Sequence, residues 1–261
     1  MILLKLLIDA HIHLDLYEVE KQKALLQTAP SEGIEALIAV SFHQDSAKRV
    51  LDLHQSFPSI VYPAFGWHPE QPFIHEAELQ SFIDWVNQHS SQMVAIGEVG
   101  LPYYLRRKHP SIPLEPYVEV LTEWIKVAKT WDLPICLHAV YEDAPLVCDL
   151  LEAHSITKAH FHWFKGDPLT VERLKQNGYY MSVTPDIVYE EEIQQLVSIY
   201  PMNLLMVETD GPWPFEGPFQ GKMTHPRMIR ESVNIISQIK RIPLEDVYKQ
   251  LYHNTKAFFH I

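Results

Sequence analysis

His11 and His13 stand two residues apart at the close of an apolar run. Histidines or carboxylates close several other such runs: His68, Glu98, His138, His162 and Asp210. Imidazole nitrogens and carboxylate oxygens are ligands of zinc and other divalent ions. In an extended chain residues i and i+2 share a face, so both imidazoles of the HxH pair can grip one ion. Glu98 ends the run Met93-Val94-Ala95-Ile96-Gly97-Glu98 and is flanked by Gly97 and Gly100. A lone charge at the edge of a core is expensive. No lysine or arginine follows until Arg106, so Glu98 is read as a metal ligand shared between two ions.

Each residue also has a plainer role. An isolated HxH pair can be satisfied by ordinary hydrogen bonds. Asp210, which precedes Gly211, would be a turn aspartate if it stood alone. Recurrence at strand ends is what favours the metal. His160 shares a face with His162 and competes for the ligand role. His162 is preferred because it lies nearer the strand end, just before Trp163-Phe164-Lys165-Gly166, which leaves His160 as an interior histidine. Asp210 is either a ligand or the base that takes a proton from the activated water. Asp9 either orients a ligating histidine or is a structural carboxylate.

The elements that must position these residues alternate regularly. Strand-like apolar runs occupy residues 3–12, 34–40, 60–65, 93–100, 133–138, 158–162, 179–183 and 204–208. Helical spacing covers 17–31, 44–57, 76–89, 114–131, 143–155, 169–177 and 190–200, with two further helices at 227–240 and 244–259. Residues 101–113 and 210–226 read as loops. Eight alternations with no break in composition predict one α/β domain over residues 1–261, a (β/α)8 TIM-like barrel. An open doubly wound sheet is the rival. The barrel is preferred because it brings every strand's C-terminal end to one mouth, whereas an open sheet would leave the outermost far apart.

With 47% hydrophobic residues in 261, the chain can bury a sizeable core. Its net charge of -12 gives it no bulk attraction for nucleic acid or acidic membranes, although bound divalent ions would reverse the sign locally. No run is long enough to span a bilayer, and no membrane partner is expected. The opening Met1-Ile2-Leu3-Leu4-Lys5-Leu6-Leu7-Ile8 carries a central lysine and no small-residue cleavage site, so it reads as the first strand rather than a secretory leader. Cys136 and Cys148 read as reduced thiols, and the chain as cytoplasmic.

These stretches together resemble the TatD family of metal-dependent hydrolases. The matching runs are Asp9-Ala10-His11-Ile12-His13-Leu14-Asp15, Gly66-Trp67-His68-Pro69, Ala95-Ile96-Gly97-Glu98-Val99-Gly100-Leu101, Leu133-Pro134-Ile135-Cys136-Leu137-His138, His162-Trp163-Phe164-Lys165-Gly166 and Glu208-Thr209-Asp210-Gly211-Pro212. They follow the family's order and spacing across nearly the whole chain. The resemblance implies a TIM-like barrel with two divalent ions, zinc, magnesium or manganese. His11, His13 and Asp210 would hold one, His138 and His162 the other, and Glu98 would bridge both. Three stretches depart from the family pattern. Pro102 follows Leu101 where the family usually has aspartate, and Ala139-Val140-Tyr141-Glu142-Asp143 stands in place of a Ser-Arg-Asp run. Gln220-Gly221-Lys222-Met223-Thr224 replaces Arg-Gly-Lys-Arg-Asn, losing two arginines suited to bidentate phosphate contact.

The function that follows is hydrolysis of phosphodiesters in DNA, as single strands or frayed ends, with Asp210 and Glu98 as catalytic residues. His68, Trp67, Trp163, Trp213 and Lys222 are expected at the mouth. The tryptophans would stack on bases or simply pack the rim. Lys222, Arg106 and Arg107 would contact phosphate or remain solvated charge. The alternative is an amidohydrolase-like enzyme acting on a small-molecule ester, lactone or cyclic amide, which the acidic chain and lost arginines suit. A binding module that keeps metal only for stability is disfavoured, because structural zinc sites are usually closed and four-coordinate.

Overall fold

The computed structural model describes residues 6–261. Eight parallel strands form one sheet in sequential order: β1 (Leu7–Ile12), β2 (Ile34–Val40), β3 (Val61–Phe65), β4 (Ala95–Gly100), β5 (Ile135–His138), β6 (Ala159–Phe161), β7 (Tyr180–Val183) and β8 (Leu205–Val207). The seam between the last and first strands is bridged just past β8. Asp210 donates its amide to His11 O at 2.9 Å, and His13 donates to Gly211 O at 2.8 Å. Asp9 reinforces the seam by accepting from the Thr209 amide (2.9 Å) and hydroxyl (2.5 Å). The architecture is a (β/α)8 TIM barrel, as the alternation predicts. The part of the first predicted strand before residue 6 lies outside the described residues.

Helices α1 (Val19–Thr28), α2 (Gln44–Ser56), α3 (Glu76–Gln88), α4 (Tyr103–Lys108), α5 (Glu115–Trp131), α6 (Asp143–Ala153), α7 (Pro168–Gln176), α8 (Glu191–Ile199), α9 (Ile229–Lys240) and α10 (Leu244–Phe259) lie between and after the strands. Two places differ from the sequence reading. The helix expected over 17–31 ends at Thr28 and continues only as a 3₁₀ turn, Ala29–Glu32; Pro30 has no amide to continue the i→i−4 ladder. The stretch 101–113, expected to be loop, contains α4. Its first turn is anchored by Glu70, whose carboxylate accepts from the Tyr104 and Leu105 amides at 2.8 and 2.5 Å. Elsewhere local signals suffice: Asp167 caps α7 through the Leu169 and Thr170 amides, with Pro168 at the first helical position.

The main core lies between sheet and helices, where Phe65, Phe82, Trp124 and Phe161 are fully buried. A second cluster fills the cylinder with small and branched side chains, among them Ile8, Ala10, Ala36, Ile38, Ala64 and Ala95, together with the unbranched Met206. Phe258 and Phe259 at the end of α10 pack against it. Cys136 and Cys148 are free and buried. Register shifts fall between Asp9 and Ile12 in β1 and between Ile96 and Val99 in β4. Such irregularities re-aim side chains, and here they lie where His11 and Glu98 enter the site. Among the described residues no helix is long and apolar enough to cross a membrane.

Candidate metal centre

Strand ends converge on the Glu98 carboxylate, which is fully buried. Its two oxygens face different histidines. Oε2 lies 3.1 Å from His11 Nε2 and 3.1 Å from His13 Nε2, both from β1 and its exit. Oε1 lies 2.9 Å from His138 Nδ1, 2.7 Å from His162 Nε2 and 3.3 Å from His68 Nε2. Asp210 Oδ1 approaches the first set alone, 3.5 Å from His11 Nε2 and 3.4 Å from His13 Nε2. The His11 and His162 rings stack between the two sets, with centroids 3.9 Å apart.

Burial alone would raise the Glu98 carboxyl, but positive charge on His162, His68 and His11 outweighs it and holds the group well below the usual carboxylate range. Burial also disfavours a proton on each imidazole, and it prevails at His11 and His68, which are pushed down. At His13 burial is overcome by Asp210 and Glu98, and the ring is raised to about 10. At His138 burial is overcome by Glu70 and Glu98, giving about 8. The centre therefore calls for positive charge. His13 Nε2 and Asp210 Oδ1 are buried, 3.4 Å apart and without a hydrogen-bond partner, which a proton or a cation between them would satisfy. Ligand atoms of His11, His13 and Asp210 lie within 4.8 Å of one another, as do those of His11, Glu98 and His162, and of His13, His68 and Glu98. The donors are imidazole nitrogens and carboxylate oxygens, a set that suits zinc and other first-row divalent ions.

A family model described as TatD related DNase matches residues 8–260. The chain belongs to this family. An uncharacterized metal-dependent hydrolase of Haemophilus influenzae is 37% identical to it over 256 residues, covering 98% of this chain and 100% of that one. Human deoxyribonuclease TATDN3 is 28% identical over 261 residues, covering 97% of this chain and 94% of its own. The crystal structure of YjjV, a TatD homologue from Escherichia coli, superposes with a TM-score of 0.86 at 26% identity, covering 98% of each chain. This TatD-family chain is a metal-dependent hydrolase by that membership.

Above the cluster the TatD-family chain opens a cavity of about 400 Å³. Phe42, Glu70, Tyr104, Val140, Trp163 and Trp213 line it together with His68, Glu98, His138, His162 and Asp210 of the centre. Among the described residues that line it there is no lysine or arginine. His68 is in this wall, its ring stacked on Phe42 with centroids 4.2 Å apart. Trp163 is fixed by Asp186, which accepts from its indole N–H at 2.6 Å. Trp213 is 41% exposed at the rim.

Other residues named from the sequence lie elsewhere. Trp67 does not line the cavity at the mouth; it packs against the main core and borders a small void with Phe73, Tyr117 and Trp124. Lys222 is on an outer groove with Glu32 and Arg227, its amine donating to Pro218 O at 2.8 Å. Arg106 pairs with Asp143 at 3.6 Å, and Arg107 is exposed. Asp9 touches no imidazole; besides Thr209 it accepts the His11 backbone amide at 3.3 Å, and burial raises its pKa to about 8. His160 sits deeper, with Nε2 2.6 Å from Ser182 Oγ and no contact to Glu98. The sequence reading passed over Glu70 and Glu208. Glu208 Oε1 lies 3.6 Å from His162 Nδ1 and accepts the Trp163 amide at 2.7 Å. Its signal was present, since Glu208 closes the apolar run of β8 just before Asp210.

Proposed function

We propose that this chain cleaves phosphodiester bonds of DNA at single-stranded or frayed ends, with two divalent ions held by His11, His13 and Asp210 on one side, His138 and His162 on the other, and Glu98 between. The observation that carries this reading is the division of the Glu98 oxygens, Oε2 toward His11 and His13, Oε1 toward His138 and His162. When bound, such a pair lowers the pKa of a water and neutralises charge on the attacked and leaving oxygens.

The remaining work belongs to the side chains. Asp210 turns Oδ1 toward His11 and His13, and the second oxygen of its carboxylate is the acceptor for the proton lost by the attacking water. His68 reaches Glu98 from the cavity wall, its Nε2 3.3 Å from Oε1. Trp163, Trp213 and Tyr104 offer faces on which a terminal base stacks while the phosphate points down. A volume of about 400 Å³ is of the size that holds a small molecule such as a terminal nucleotide. A second reading, hydrolysis of an uncharged ester or lactone, is favoured by one observation: among the described residues no lysine or arginine lines the mouth.

Turnover of a single-stranded oligonucleotide, measured beside a panel of esters and lactones with zinc, manganese and magnesium, separates the two. Nucleolytic turnover is expected, with a shallow dependence on salt because few lysines or arginines meet phosphate. Glu98→Ala is expected to abolish it and to release at least one ion by elemental analysis. Two ions retained in that variant would remove the bridging role, and turnover of esters alone would remove the nuclease.

A further inference from the structure

Glu70 enters the mouth from the β3–α3 connection, two residues past His68, and its side chain is only 15% exposed. Oε1 accepts the Tyr104 amide at 2.8 Å and lies 3.3 Å from His138 Nε2. Oε2 accepts the Leu105 amide at 2.5 Å. One carboxylate thus ties together a histidine of the centre and the first turn of α4, which carries Tyr104 into the cavity wall.

A neutral imidazole has one N–H and one lone pair. A proton on Nε2, donated to Glu70, leaves the lone pair on Nδ1, the nitrogen 2.9 Å from Glu98 Oε1. His162 is arranged the opposite way: Nδ1 faces Glu208 and Nε2 faces Glu98. The two histidines therefore present different nitrogens to the centre because their second carboxylates stand on opposite sides. Glu208 is fully buried at the end of β8, whereas Glu70 is shared with a segment that borders the substrate cavity.

We propose that Glu70 is a positioning residue that fixes His138 with its Nδ1 lone pair toward the metal and, through the same carboxylate, holds Tyr104 over the mouth. This rests on the metal-centred reading above. Zinc affinity and substrate affinity are then joined at one side chain outside the ligand set. Glu70→Gln keeps the shape and one acceptor for the α4 amides, but its amide can donate to His138 Nε2 and so favour the wrong tautomer.

The test uses the full chain. Zinc affinity is measured by competition with a chromogenic chelator, and the His138 tautomer by long-range nitrogen–proton NMR at alkaline pH on ion-free protein in a Glu98→Ala background, where the carboxylate 2.9 Å from Nδ1 no longer competes for the proton, assigned with His138→Ala. Glu70→Gln is expected to weaken zinc binding by roughly 10–100-fold and to move the proton of His138 from Nε2 to Nδ1. Tyr104→Ala is expected to raise KM with zinc affinity and tautomer unchanged. A Glu70→Gln protein that binds zinc within about twofold of the parent and keeps the Nε2–H tautomer overturns the proposal, the comparison being set against the roughly tenfold minimum loss expected. The tautomer reads Glu70 without any ion. If the parent chain binds no zinc, the metal-centred reading fails, and the ion-free spectrum still decides the Glu70–His138 pairing.

Discussion

At the residue scale, the centre is two acids, Glu98 and Asp210, among imidazoles whose placement depends on how closely two backbones approach. Gly100 pairs with His138 across β4 and β5, and a Cβ at that position would stand 2.0 Å from His138 O. Backbone atoms cannot yield as a flexible side chain can, so Gly100→Ala must push β5 outward and carry His138 off Glu98. Overpacking of this kind costs about 1–3 kcal/mol. The expected outcome is a lower denaturation midpoint together with weaker zinc binding. Unchanged zinc binding in a destabilised variant would mean that His138 does not follow its carbonyl. The ligand-type residues were legible in the sequence because each closes an apolar run, and a strand end is where a polar group meets the core edge. The carboxylates behind them were less so. Glu208 sits beside Asp210 and was overshadowed by it; Glu70 lies in a connection whose partners are 34 and 68 residues away.

At the scale of elements, periodicity carried the reading. The strands and most helices were legible because each buries one recognisable stripe or a short continuous run. The exception, α4, forms from Tyr103-Tyr104-Leu105-Arg106-Arg107-Lys108 with none of its residues fully buried, anchored by an acid from another connection. No local pattern announces such a helix. Trp67 shows the same limit: the sequence put it beside the mouth, but it packs against the main core instead. Helix pairs also carry their own electrostatics. Arg173 of α7 reaches Glu152 of α6 with two hydrogen bonds, 2.7 and 2.8 Å, and Asn177 adds a third at 2.7 Å. The arginine first, then the asparagine, lower Glu152 to about 2. A depressed carboxyl stabilises the fold above its unfolded pKa, about 4.3, and that contribution is lost as pH falls through the folded value. The glutamate is 41% exposed, so solvent screening discounts the effect. Glu152→Gln is expected to cost of the order of 0.5 kcal/mol at neutral pH. The difference from the parent should shrink below about pH 4 and vanish near pH 2, in denaturant titrations at stepped pH. A difference that persists at the acid end would assign the loss to packing.

At the scale of the whole molecule, the barrel returns on itself at the centre. His11 and His13 come from the first strand and its exit, Asp210 from just past the last, and the amides of His13 and Asp210 form the seam between them. An ion held by these three groups is therefore also a clasp on the seam. A ligand that binds only the folded state stabilises it by about 2.7 kcal/mol at one hundred times its dissociation constant. Zinc is expected to slow hydrogen exchange in peptides covering residues 9–13 and 207–213 more than in those covering α3 or α6. Uniform slowing, or none, would separate the ion from the seam.

Because the two ends of the cylinder supply neighbouring donors, the His11–His13–Asp210 pocket cannot exist on a growing polypeptide until synthesis has passed Asp210. A ribosome-bound fragment stopped earlier would carry every histidine of the centre and still lack the carboxylate that completes this half. Metal capture there would then mark a chain extended past its eighth strand, which makes zinc retention by stalled fragments of graded length a readout of when the last strand docks.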